Sequence, residues 1–192
     1  MQNRRGFFGV VWDVIQLANP IFVFLAIVLP VGALIFANNF GSITILNYVH
    51  IMTGGLWTGI DLFMGLVLGP VLGGVDPKVR ASVFKRLIPR MTFLMPVIAA
   101  VTITSGIQLV QRLGFFSWTD PWIVAALVIS ALLTLQGFGI LLPNEIRIFR
   151  QILSDAPDIE KIARLGMRNA MFGGVQGIFQ LAIIFIMANL RF

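Results

Sequence analysis

Five long apolar runs, at about residues 20–38, 43–72, 91–112, 121–143 and 170–190, constrain this chain more than any other feature. Each is long enough for the roughly 20 residues that a helix needs to cross a ~30 Å hydrocarbon core. Within such a core every backbone N–H and C=O must be satisfied internally, so each run is expected to be one helix. The composition agrees. With 58% hydrophobic and 11% charged residues and a mean hydropathy of +0.93, water-facing surface could not cover so much apolar side chain. The expected fold is all-α: one integral membrane bundle of about five transmembrane helices over residues 20–192. Residues 1–19 precede it as an interfacial segment, amphipathic over 6–17, with Trp12 as its anchor. Asp13, Gln16 and Asn19 interrupt that segment and no small-residue cleavage site follows, which argues against a cleaved signal. The second run exceeds a perpendicular span, so it is expected to tilt or to end near Gly69-Pro70. Kinks are expected at Pro30 and Pro96.

The basic residues orient the bundle. Arg4 and Arg5 precede the first run. Lys78, Arg80, Lys85, Arg86 and Arg90 fill the stretch 73–90, and Arg147, Arg150, Lys161, Arg164 and Arg168 fill 144–169. With five spans, these twelve of the fourteen Lys and Arg share one side, and only Arg112 and Arg191 lie on the other. The positive-inside rule then predicts a cytoplasmic N-terminus in a cell (inner, cytoplasmic-type) membrane. Topology thus accounts for the net charge of +6, and no nucleic-acid partner is needed. Phe115, Phe116, Trp118 and Trp122 are placed to form an aromatic belt at the short outer loop. Ser154-Asp155-Ala156-Pro157 reads as a cap with a first-turn proline, starting a short cytoplasmic helix that leads into the fifth span.

Few residues can carry chemistry. There is no cysteine and one histidine, His50, so thiolate sites and any mechanism needing two histidines from this chain are excluded. Phosphate loops, dinucleotide glycine patterns, HExxH and nucleophile elbows are absent, as is an inverted repeat. His50, Trp57, Asp61 and Met64 fall near one stripe of the second span, facing protein or a cavity. His50 and Asp61, eleven residues apart, are separated by ~16 Å along the axis, too far to share a metal ion. They can line one pathway or flank a large ligand. Asp61 has two readings: a hydrogen-bonded helix-register group, with Gln136, Gln176 and Gln180 at comparable depth as partners, or a proton or solute pathway. His50 also has two: an interfacial histidine bonded to a neighbouring polar group, or a ligand paired with Met187, a donor set that suits copper(I) or haem iron. Asn47 and Gln108 lie at similar depth to His50. Met91, Met95, Met167 and Met171 read as packing rather than a metal relay. The small-xxx-small pairs Gly55/Gly59, Gly65/Gly69 and Gly173/Gly177 place the second and fifth helices at the bundle centre. Close approach there would also make room for a flat cofactor beside His50.

Val49-His50-Ile51 with Trp57, Gly59, Phe63 and Pro70 forms one part of a larger pattern. Arg86-Leu87, Pro89, Met95-Pro96 and Thr104-Ser105-Gly106 continue it, and Gly174-Val-Gln176, Gln180, Met187 and Arg191 close it. Over about residues 45–110 and 170–192 the chain resembles the CopD/HemJ-like small polytopic membrane proteins, in particular an uncharacterised CopD-like branch. The resemblance implies a helical bundle whose first-motif histidine, here His50, binds copper or one haem b, with Trp57 and Met187 near it. HemJ-type proteins carry further histidines that are absent here, and Lys85, the only lysine that could serve as a haem ligand, falls in a basic loop. The resemblance therefore implies a non-catalytic accessory or copper-handling subunit of a larger membrane complex. A haem redox protein on His50 and a pathway around Asp61 are the alternatives.

Overall fold

The computed structural model describes residues 7–114 and 116–190. Arg4, Arg5, Phe115 and Arg191 lie outside the described residues. Six helices follow in order: α1 Phe7–Ala18, α2 Pro20–Asn39, α3 Ile43–Gly73, α4 Pro77–Arg112, α5 Pro121–Ile152 and α6 Ile159–Ala188. Among the described residues there is no strand, and α2 to α6 are each long and apolar enough to cross a membrane. Their outward faces are apolar too. Ile21, Leu29, Leu66, Leu135 and Phe138 are all exposed, an arrangement suited to a lipid bilayer.

α1 lays Val14 and Ala18 inward and leaves Phe8 and Trp12 exposed, the two faces of an amphipathic helix. It turns into α2 at Asn19. There φ is +76°, and the side chain accepts the Ile21 N–H at 3.0 Å, just before a first-turn proline.

Helix ends differ from the sequence expectation in three places. α3 does not stop at Gly69-Pro70. It widens into a π-turn at Phe63–Leu68, then resumes α-geometry to Gly73. α5 does the same, with a π-turn at Gly137–Leu141 two residues before Pro143. A helix-interior proline lacks an N–H and crowds the carbonyl four residues back. In both helices that carbonyl, of Leu66 and of Gly139, lies within the wide turn, which absorbs the mismatch. Pro30, Pro89 and Pro96 are carried without such a turn.

Secondly, the stretch 73–90 is not a loop. α4 starts at Pro77 and runs 36 residues, so Lys78 to Arg90 ride on its first turns. Arg80 reaches back across the 74–76 turn. It donates to the carbonyls of Leu72 (2.8 Å), Gly73 (3.0 Å) and Val75 (3.0 Å), satisfying the orphan end of α3.

Thirdly, the cap of the last helix is Asp158, whose carboxylate accepts from Lys161 N at 2.9 Å. Ser154 instead donates to the Gln151 carbonyl, and α6 is one continuous helix from Ile159, not a separate cytoplasmic helix leading into the span. At the opposite end of the bundle Asp120 caps α5, accepting from Trp122 N at 2.8 Å, and Phe116 meets Trp118 edge to face at 5.2 Å.

Three apolar clusters stack through the bundle. The first gathers Val14, Leu72, Phe84, Ile148 and Ile162 at the end where the basic residues lie. Trp57, Ile98 and Leu133 form the middle cluster, and Ala37, Leu46, Val49, Val101 and Leu109 form the distal one.

α6 is the most enclosed span, and it meets α3 at a glycine crossing. A methyl added at Gly174 would lie 2.8 Å from the Gly65 Cα, so the two backbones touch with no side chain between them. Gly55 and Gly59 have nothing within 4 Å and make no such contact, contrary to the pattern reading. Gly174→Ala is expected to destabilise the bundle by about 1–3 kcal/mol through overpacking, whereas Gly55→Ala is expected to be neutral. Thermal melting in detergent, followed by size-exclusion chromatography, separates the two.

Candidate functional site

A cavity of about 430 Å³ opens in the distal half, between α3, α4, α5 and α6. Its walls are almost wholly apolar. His50, Trp57 and Met187 all line it, as do Asn47 and Gln180. The structure thus brings the three sequence-derived ligand candidates to one space. Lining residues Ile51 and Ile184 are 59% and 49% exposed on the outside of the bundle, so the cavity communicates with the lipid-facing surface.

The His50 ring is held from α4. Its Nδ1 lies 2.9 Å from the Thr102 carbonyl oxygen and 3.2 Å from Ser105 Oγ. A carbonyl can only accept, so Nδ1 carries the hydrogen. The Ser105 hydroxyl spends its own hydrogen on the helix, 2.6 Å from the Val101 carbonyl, and leaves a lone pair for the imidazole. Gly106 completes the seat: a methyl there would stand 2.8 Å from His50 Cε1. The glycine therefore makes room for the histidine itself. With Nδ1 so fixed, the neutral ring presents Nε2 as an acceptor, and Nε2 has no hydrogen-bond partner among the described residues. Both sequence readings of His50 meet here, because one ring nitrogen is tied to a helix carbonyl and the other is open.

Asp61 sits about three turns deeper and is 3% exposed. Its Oδ2 accepts from Gln180 Nε2 at 2.9 Å, and its Oδ1 lies over Gly173, where an added methyl would stand 3.3 Å away. Of the three glutamines placed at this depth by sequence, only Gln180 pairs with Asp61. Gln136 on α5 donates to the Phe172 carbonyl of α6 at 2.9 Å, and Gln176 on α6 donates to the Leu133 carbonyl of α5 at 3.0 Å. These two form a reciprocal clasp between helices beside the α5 π-turn. Gln180 keeps one unmet need: its Oε1 is buried and accepts nothing.

Gln108 does not bond His50; its Oε1 is likewise buried without a partner, but it does not line the cavity. Met167 packs into the basic-end cluster, Met95 into the middle one, and Met171 is exposed. Among the described residues, no three His, Cys, Asp or Glu side chains gather as a metal cage.

A second polar group, toward the basic end, was not among the sequence candidates. Thr92 donates to Glu145 Oε2 at 2.7 Å. Asn144 Nδ2 donates to Asn169 Oδ1 at 3.0 Å, and Asn169 in turn reaches the Leu141 carbonyl at 3.3 Å. The helical spacing of Ile148, Phe149 and Ile152 after Pro143 was the signal that this stretch is helix rather than loop.

The fold and cavity define a class, a multi-pass helical membrane bundle with an apolar cavity between its helices. Comparison with protein-family models, with curated proteins and with solved structures finds no match to this chain.

Asp61→Leu would leave both ends of the Gln180 amide unpartnered in the bundle and is expected to cost about 1–3 kcal/mol. Asp61→Asn keeps an acceptor for Gln180 Nε2 and is expected to melt close to wild type. Equal losses for both variants would show that the charge, not the hydrogen bond, supports the fold.

Proposed function

We propose that this chain is a membrane subunit, CopD-like in role and without a reaction of its own, that binds a lipid-soluble organic molecule in the His50 cavity. The observation that carries this reading is the His50 ring itself, with Nδ1–H fixed on Thr102 and Nε2 open beside an apolar space of about 430 Å³. A pre-formed apolar pocket with a few placed polar groups is the usual form of a small-molecule site. The resemblance to proteins whose corresponding histidine is a ligand points to the same residue. Its setting is a cytoplasmic-type membrane with the basic end inside, and partner subunits of a larger assembly.

The cavity's chemistry ranks the possible occupants. Copper(I) would find His50 and Met187 as its soft donors, but a bare ion needs a close ligand cage, not an open apolar volume. For haem, His50 supplies what an axial ligand requires, including the anchored second nitrogen, and Met187 offers a donor from α6. Haem would bring one-electron redox chemistry. The remaining lining does not match it: among the described residues no Lys or Arg lines the cavity to meet two propionate carboxylates, and haem has no donor for Gln180 Oε1. The residues fit the iron and not the rest of the group.

Protein purified in mild detergent should therefore release a stoichiometric apolar compound into organic solvent, and His50→Ala should lose most of it. A wild-type extract indistinguishable from that of an unrelated membrane bundle would refute the reading. The absorption spectrum and elemental analysis of the same sample sort the occupants: a Soret band identifies haem, and one equivalent of copper identifies the ion.

A further inference from the structure

Two side chains that line the cavity each carry a polar atom without a partner among the described residues, and both atoms are acceptors. At the distal end His50 Nε2 is an acceptor because Nδ1 carries the ring hydrogen toward Thr102. At the deep end Gln180 turns its Nε2 to the Asp61 carboxylate, which leaves Oε1 as the free atom. Gln180 is 4% exposed and lines the cavity. A buried acceptor without a donor costs free energy that a ligand recovers by supplying one. Single waters could meet one acceptor each. The apolar walls between the two, among them Ile103, Ile107 and Ile183, offer a water file no further partners.

We propose that the occupant is a lipid-soluble hydroquinone, one hydroxyl donating to His50 Nε2 and the other to Gln180 Oε1. This rests on the reading that the cavity binds an apolar molecule at His50. The match is one of polarity. The Gln180 amide sits at the Asp61 carboxylate, eleven residues along α3 from His50 (~16 Å along the axis), so the two acceptors belong to separate levels of the cavity wall. A fatty alcohol or sterol brings one donor and leaves the second acceptor bare. A hydroquinone's oxidised form, the quinone, brings none and sets carbonyl oxygens against two acceptors. The side chain at the deep end is itself held by Asp61, so the carboxylate acts as a positioning residue for Gln180 and does not touch the ligand. The exposed flanks at Ile51 and Ile184 give a lipid-dissolved tail a place to leave the cavity.

The test uses the full chain in lipid nanodiscs and needs no variant for its main arm. Decylhydroquinone (kept reduced under anaerobic conditions), its mono-O-methyl ether, its di-O-methyl ether and decylquinone are titrated by calorimetry. Affinity should fall about tenfold for each hydroxyl capped, and the quinone should bind at least as weakly as the diether. His50→Leu and Gln180→Met, checked for monodisperse elution, should each weaken hydroquinone about tenfold while changing diether binding little. Equal affinity across the four compounds overturns the hydroquinone assignment and leaves the apolar-ligand reading standing. No binding by any of them, together with an empty organic extract, overturns both. A Soret band in the purified protein removes the hydroquinone and assigns the cavity to haem.

Discussion

The contact on which the bundle depends is the backbone-to-backbone crossing of α3 and α6 at Gly65 and Gly174. In lipid there is no hydrophobic drive to bring helices together, because the tails are as apolar as the side chains. Close packing and interhelical hydrogen bonds must do it. The glycine crossing supplies the first and draws the two helices near enough for the second. Asp61 on α3 and Gln180 on α6 meet at 2.9 Å, and Gly173, beside the carboxylate, leaves room for it. From that pair the clasp of Gln136 and Gln176 extends the attachment to α5. Toward the distal end the helices are no longer in such close contact, and the cavity lies there.

The cavity's polarity follows from the same geometry. Polar side chains inside a membrane bundle are costly unless paired, and nearly all of those near the bundle centre are paired with backbone carbonyls or with each other. Thr53, Thr102 and Ser105 bond their own helices, and the glutamines of α5 and α6 bond each other's. Against that background the open His50 Nε2 and Gln180 Oε1 stand out among the side chains that line the cavity. Both belong to side chains whose other polar atom is firmly bound, so neither can turn away to find a partner elsewhere.

Much of this was legible from the residues. Run lengths placed the five spans, and the stripe of His50, Trp57 and Asp61 correctly anticipated an inward face. Trp57 and Asp61 are buried, and His50 is seated against α4. The glycines were only half readable. Gly65 and Gly174 touch while Gly55 and Gly59 do not, and a spacing of four does not tell which face meets a partner. Charge misled where it coincided with helix. Lys78 to Arg90 and Arg147 to Arg150 read as loops because membrane spans are recognised by hydropathy, yet helical geometry continues past the apolar limit in α4 and α5. The Glu145–Thr92 and Asn144–Asn169 pairs were hidden by that misreading. The π-turns left no mark in apolarity at all.

Those two wide turns have a consequence for how the helices are phased. Each inserts one residue more than an α-turn would hold, which rotates everything beyond it by roughly 100° relative to an unbroken helix. Beyond the turn in α3, Gly69 and Leu72 are the buried residues, Leu72 within the basic-end cluster. α3 and α5 thus behave as two half-helices in different angular registers, joined at mid-depth. One half faces a cavity and the other a close-packed core, so the distal end can stay open without loosening the packing below it.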